Sequence, residues 1–333
     1  MKAPGFWFNP AAAPGLWARV LSPAAWLWAR ATARRLARPA TRAPVPVICV
    51  GNLNVGGTGK TPVVCALLAE LAEMGGTPHA LSRGYGGKTR GPHRVDPRKD
   101  DAATVGDEPL LLAAFGPTWV SDDRVAGAQA AAEAGASVVV MDDGFQNPGL
   151  HKDLNLLVID ASTGFGNGRV IPAGPLREPG AAGLARTDLV VLLGERDTCA
   201  RFLEAWPAVA DLPRVEAVLR PLLTGMPWQG LRCLAFAGIG RPQKFFDTLA
   251  QTGAEVVATR SFADHERYPR AMVQRLMAEA ARLGAQLVTT EKDAVRLPAD
   301  LRANVLTLPV RLDIEEPAAL HQALARLNVG SGD

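Results

Sequence analysis

A glycine-rich loop set between a β-branched run and a helical pattern constrains this chain more than any other feature. Residues 45–50 (VPVICV) read as a buried parallel strand, because a strand covered on both faces is apolar throughout. Gly51-Asn52-Leu53-Asn54-Val55-Gly56-Gly57-Thr58-Gly59-Lys60-Thr61 follows, then Val63, Val64, Leu67, Leu68 and Leu71 at helical spacing. Strand, loop and helix in that order form a phosphate cradle. The glycines let successive N–H groups curl around the oxygens, and the helix N-terminus adds its positive end. Asn54, Val55, Gly56, Gly57, Thr58, Gly59, Lys60 and Thr61 are therefore the expected nucleotide-binding residues. Lys60 would reach the β- and γ-phosphates of ATP and Thr61 would ligate Mg²⁺. Asn54 stands where the motif has its first glycine, a mild departure because Asn tolerates positive φ.

A second apolar run, 137–141 (SVVVM), ends in Asp142-Asp143-Gly144-Phe145-Gln146. Acids at the C-terminal end of a strand beside a P-loop are placed to hold Mg²⁺ or its waters. A loop aspartate capping the next helix is the plainer reading of the same pattern. Val55 occupies the place of the extra lysine found in ParA- and MinD-like ATPases. In Thr290-Glu291-Lys292-Asp293 the lysine comes one place too late for a GTPase base-reading motif. A small-molecule or lipid kinase remains, with a membrane-tethered nucleotide switch as the alternative.

Charge is unevenly spread. No Asp or Glu precedes Glu70, whereas Lys2, Arg19, Arg30, Arg34, Arg35, Arg38 and Arg42 all do, together with Trp7, Trp17, Trp26 and Trp28. Residues 16–37 read as an amphipathic helix whose apolar stripe comprises Trp17, Val20, Leu21, Ala24, Leu27, Trp28 and Ala31. Its charge-free stretch is far shorter than the roughly 20 residues needed to span a bilayer. Tryptophans beside arginines suit a helix lying in the headgroups of an anionic leaflet. Packing on the protein's own core, a partner-binding helix and an Arg-rich transit peptide are the competing readings. Nucleic acid is excluded as a partner because the basic residues cluster with Trp in one terminal helix and no recognition motif follows. No protein partner is called for. Cys49, Cys65, Cys199 and Cys233 have no metal spacing and read as free thiols.

With 333 residues, 48% hydrophobic and 21% charged, the chain has material for two globular units. Expected strands lie at 46–50, 77–81, 119–120, 138–141, 154–159 and 189–193, with helices at 62–74 and 124–134. A second set comprises strands at 232–237, 255–259, 286–289 and 305–308, with helices at 244–251, 270–283 and 317–327. This alternation predicts an α/β fold with a P-loop NTPase-like, doubly wound, mainly parallel sheet. The expected units are an N-terminal helix over 1–43, a kinase domain over 44–220 and a smaller C-terminal α/β domain over 221–333. Residues 84–104, rich in Gly, Pro and charge, read as a long mobile loop.

Several further motifs occur in order: SRGYGG (82–87), GDEP (106–109), DDGFQ (142–146), PAGPLREP (172–179), GIGRPQKFF (238–246), FADHERY (262–268) and TTEKDAVRL (289–297). With the P-loop and the basic, Trp-rich N-terminus, the chain from about residue 5 to residue 325 resembles the bacterial tetraacyldisaccharide 4′-kinases, the lipid A 4′-kinases. The resemblance implies transfer of the ATP γ-phosphate to the 4′-hydroxyl of tetraacyldisaccharide 1-phosphate. It also implies a peripheral location on the cytoplasmic face of the inner membrane, where the acyl chains of the substrate stay in the leaflet. A kinase for another membrane-associated sugar or isoprenoid alcohol is the runner-up among enzymes.

By the same resemblance Asp107 is the general base, assisted by His265. Read alone, Asp107 would be an ordinary helix start and His265 a surface-loop histidine. Glu108, Asp142 and Asp143 join Thr61 around Mg²⁺, and Arg83, Tyr85, Gln146, Asn147 and Arg177 are the implied substrate contacts. Asn147 stands where the family has histidine, so a cationic role at that position is lost. Asp107 and His265 fall in different expected domains, which places the site in an interdomain cleft.

Overall fold

Val47–Gly51 (β1) is buried at every position, and it lies in the middle of a sheet. The structure is a computed structural model that describes residues 3–222, 224–327 and 329. Lys2 and the extreme ends of the first and last expected units lie outside the described residues.

The remaining strands are β2 Pro78–Ser82, β3 His93–Arg94, β4 Thr118–Val120, β5 Val138–Asp142, β6 Leu154–Asp160, β7 Leu189–Leu193, β8 Arg214–Pro221, β9 Arg232–Ala237, β10 Glu255–Ser261, β11 Gln286–Thr290, β12 Leu306–Leu308 and β13 Val310–Ile314. They form a nine-stranded sheet in the order β13-β8-β7-β6-β1-β5-β2-β4-β3 and a four-stranded sheet in the order β10-β9-β11-β12. Only the edge pairs β13–β8 and β3–β4 are antiparallel. β1 pairs with β6 on one side and β5 on the other, so the P-loop and the Asp142-Asp143 pair emerge from neighbouring strand ends. The α/β, mainly parallel architecture expected from the alternating pattern is the one observed, with apolar cores on both faces of the large sheet.

Three expectations need correction. Strands β8 and β13 do not stand out as apolar runs, because charged Arg214, Glu216, Arg220, Arg311 and Asp313 interrupt them. β13 follows the small sheet in sequence yet pairs with β8 of the large one. The helix Ala318–Ala325 then packs Leu320, Ala323 and Leu324 onto the core of the large sheet. A single C-terminal unit over 221–333 is therefore too long: the small sheet ends at Leu308, and the chain returns to cover the edge and face that β8 would leave open.

The N-terminal helix is broken at Leu21 into Leu16–Val20 and Ser22–Leu36, with Pro23 in the first turn of the second piece. Its inward face is built from small residues. Ala18, Ala25 and Thr32, seven apart, are buried, and Leu21 and Ala29 pack on the core. Of the expected stripe only Leu21 turns to the core; Trp17, Val20, Leu27 and Trp28 point outward, 64%, 58%, 62% and 48% exposed, and Trp26, outside that stripe, is 60% exposed. Docking is specific. Trp7 Nε1 donates to Pro172 O at 3.0 Å, Trp28 Nε1 to Arg177 O at 3.1 Å, and Arg169 to Ser22 Oγ at 2.9 Å.

Residues 84–104 are not a structureless loop. They contain β3 and lead to the turn Ala102–Val105, which Asp101 caps by accepting from Thr104 N–H at 2.8 Å. Lys88 and Thr89 N–H both donate to Thr104 O, and His93 meets Asp100 at 2.8 Å. Gly91 is obligatory there, since a Cβ would lie 2.0 Å from Val120 O and φ is +76°.

Candidate active site

β1 delivers the P-loop, and the helix Lys60–Glu73 leaves it directly. Gly56 and Gly59 turn the chain at φ +109° and +88°. Asn54 does not use positive φ, contrary to expectation. It is held instead by a bridge to Leu176 and by its carboxamide, which donates to Gly164 O at 2.9 Å. Val55 N–H donates to Pro175 O, tying the loop to the segment that carries Arg177. Lys60 Nζ lies 3.3 Å from Asn52 Oδ1 and 3.5 Å from Asp143. Lys60 and Thr61 line a cavity of about 830 Å³ that also takes in Glu108, Asp264 and Lys292.

Asp142 ends β5 only 1% exposed, and neither of its carboxylate oxygens has a hydrogen-bond partner. Burial, and next the nearby Glu108, push it up to about 7. The Thr58 hydroxyl is likewise buried and unpartnered. Orphaned acceptors are rare in folded proteins, because each forfeits its hydration without return. Their clustering beside Lys60 fits a site shaped for a divalent cation and phosphate oxygens. Among the described residues no group of three or more His, Cys, Asp or Glu side chains forms a ready-made cation cage.

Asp143 sits at φ +52° and is ion-paired to Arg177 at 2.7 Å. Burial raises its pKa, but Lys60 and Arg177 outweigh burial and hold the carboxyl below its usual range. Gln146 donates to Asn52 O at 2.9 Å and to Glu178 at 3.0 Å, and accepts from Arg177 at 3.2 Å. Gln146 and Arg177 are thus already engaged with the P-loop and its acids. Asn147 caps a turn, accepting from Gly149 and Leu150 N–H at 3.0 and 3.2 Å. Arg83 is exposed and paired with Asp122 at 3.5 Å.

Asp107 opens the helix Asp107–Leu112 and is buried, 158 residues from its partner in sequence: His265 Nδ1 lies 2.9 Å from Asp107 Oδ2. Burial raises the Asp107 pKa, yet the His265 hydrogen bond, with the charges of Lys292, His265 and Arg296, holds it below the usual carboxylate range. Asp107 is therefore an ionised acceptor at neutral pH. Tyr85 meets the His265 ring edge-on, with centroids 5.4 Å apart. Glu108 is paired to Lys292 at 3.0 Å, and Arg296 Nε lies 3.3 Å from Asp107.

Sequence reasoning missed Asn52, Glu178, Lys292, Asp293 and Arg296 as parts of this site. The last three belong to TTEKDAVRL, where acids and bases follow the end of β11 much as DDGFQ follows β5. The same strand-end logic applied twice would have found them.

The sequence matches the family model described as LpxK, tetraacyldisaccharide-1-P 4′-kinase, over residues 17–328. The tetraacyldisaccharide 4′-kinase of Dinoroseobacter shibae is 60% identical over 98% of this chain and 98% of its own length. That of Rhodospirillum centenum is 55% identical over 100% of this chain and 98% of its own. The crystal structure of LpxK from Aquifex aeolicus in complex with ATP has the same fold, with a TM-score of 0.75 at 28% identity over 94% of this chain and 99% of that one. A P-loop fold and full-length likeness to these enzymes agree: the chain belongs to the tetraacyldisaccharide 4′-kinase family.

Proposed function

We propose that this kinase moves the γ-phosphate of ATP to the 4′-hydroxyl of tetraacyldisaccharide 1-phosphate, with Asp107 as the base and His265 as its partner. The 2.9 Å contact between them carries this reading, because their chain neighbours Glu108 and Asp264 line the same cavity as the P-loop. Asp107 Oδ accepts the hydroxyl proton as the sugar oxygen bonds to the γ-phosphorus and the bond to the β–γ bridging oxygen breaks. The imidazole orients the carboxylate and can pass the proton on. Gly56 to Thr61 and Lys60 hold the triphosphate in line. Thr61, Glu108, Asp142 and Asp143 would hold Mg²⁺, which when bound neutralises charge on the β- and γ-phosphate oxygens. Tyr85, exposed beside His265, offers a ring for the sugar face. Arg177, with Gln146, would exchange its Asp143 contact for a phosphate, and Arg83 and Asn147 are the remaining substrate contacts that the family likeness suggests.

The outward Trp17, Trp26, Leu27 and Trp28 support work at an anionic membrane surface on the cytoplasmic face of the inner membrane. No helix among the described residues is long and apolar enough to cross a membrane, which fits a peripheral attachment. Trp28 reaches the backbone of Arg177, so the same helix that would meet the headgroups borders the catalytic cleft.

The test is transfer from γ-labelled ATP to purified tetraacyldisaccharide 1-phosphate in detergent micelles, with Lys60→Ala as the blank. Asp107→Ala should cut turnover by about 10²-fold or more, the scale of a general base. A near-wild-type rate removes Asp107 from the mechanism. Tight ATP binding with no labelled lipid would shift the weight to another acceptor or to a nucleotide switch.

A further inference from the structure

Arg296 is 5% exposed at its side chain, an uncommon place for an arginine, and its guanidinium touches both units of the protein at once. Nε donates its N–H to Lys292 O at 3.1 Å and lies 3.3 Å from Asp107 of the large-sheet unit as an ion pair, and Nη2 faces Asp293 at 2.8 Å. Nη2 also donates to Gly238 O at 2.9 Å, and Nη1 to Glu266 O at 3.0 Å. Gly238 O is the same carbonyl that accepts the backbone N–H of His265 at 3.2 Å. Asp293, fully buried, holds the other side of that turn, accepting Gly238 N–H at 2.9 Å and the Tyr268 hydroxyl at 2.7 Å. His265 is one of two non-glycine residues with positive φ among the described residues, at +59°. A residue held in that region needs its surroundings to over-determine it.

We propose that Arg296 is the positioning residue of the Asp107–His265 pair, its charge holding the Asp107 carboxylate by ion pairing while its N–H donors fix the histidine-bearing turn. The inference rests on the reading of Asp107 as the base. Arginine suits the task because its planar, permanently charged fork presents five donors in fixed directions. A lysine offers one point charge and cannot pair with Asp107 and Asp293 while donating to the three carbonyls of Lys292, Glu266 and Gly238. Nothing in this role requires Arg296 to touch either substrate.

The experiment compares wild type, Arg296→Lys, Arg296→Gln, Asp107→Asn and the double variant Asp107→Asn/Arg296→Lys in the labelled-ATP transfer assay. Melting temperature is recorded for each. Arg296→Lys should lower kcat by about 10-fold or more while the KM for ATP stays within about twofold, the pattern of lost alignment without lost ground-state binding. Arg296→Gln should lie lower still, and if it does not fold the lysine variant carries the test. In the Asp107→Asn background, Arg296→Lys should cost less than about threefold further, because residues acting as one unit are non-additive. A wild-type kcat in Arg296→Lys, or an undiminished loss in the Asp107→Asn background, overturns the proposal and leaves Asp107 as base untouched. A wild-type kcat in Asp107→Asn overturns both.

Discussion

Replacing Asp142 by Asn should make the protein more stable while abolishing its chemistry. The carboxylate is fully buried, carries no hydrogen bond on either oxygen and is pushed from 3.8 to about 7, by burial first and by Glu108 next. A rise of about three pKa units corresponds to about 4 kcal/mol at roughly 1.4 kcal/mol per unit. The sign follows from proton linkage. The folded pKa lies above the unfolded one, so between about pH 4 and pH 7 the folded state binds more protons, and stability falls as pH rises. Below pH 4 the neutral acid and the carboxamide carry similar burial costs, and the two proteins should melt together. At pH 8, with chelator and no nucleotide, Asp142→Asn should melt about 8–16 °C higher, given about 2–4 °C per kcal/mol for a domain of this size. Differential scanning calorimetry across pH 4–8 reads this directly, and the transfer assay should show turnover near the Lys60→Ala blank. If the Asn variant melts lower than wild type at pH 8, the carboxylate is not an uncompensated charge, and the argument that it awaits a cation fails.

Other substitutions separate surface from core. The combined change of Trp17, Trp26 and Leu27 to Ser should leave the melting temperature within about 2 °C, since exposed positions cost little; flotation with anionic vesicles should drop, and unchanged flotation would sink the interfacial role. Ala25→Leu, on the inward face of the same helix, should destabilise by about 1–3 kcal/mol through overpacking, read by urea unfolding. Gly51→Ala should do the same or worse, because its Cβ would sit 2.4 Å from Phe145 Cβ; an unchanged midpoint would show that the end of β1 can move away from DDGFQ.

Much of the site was legible because its signals are local. An apolar run, glycines at fixed offsets and a helical pattern locate the P-loop without any partner. Asp142 and Asp143 announce themselves in the same way, as acids at the end of an all-apolar strand. Asp107 and His265 carry no such local mark: one opens a six-residue helix and the other sits in a turn. The family resemblance named them, and only the packing of the two sheets brings them to 2.9 Å.

The sequence by itself determined the apolar strands of both sheets and the helices between them, the phosphate loop and the chemical character of its surroundings, but not β3, β8 or β13, because each of the former depends on residues within one or two turns of each other. Tertiary structure decided three things that local pattern leaves open. It returned β13 and the last helix to the large sheet, since an exposed strand edge and apolar face needed covering and charged residues hid the strand from a search for apolar runs. It turned Ala18, Ala25 and Ala29 of the N-terminal helix inward and its tryptophans outward, a choice set by how closely that helix approaches the core, not by hydrophobicity. And it placed Arg296 between the two units, where a buried guanidinium finds the carboxylates that make its burial tolerable.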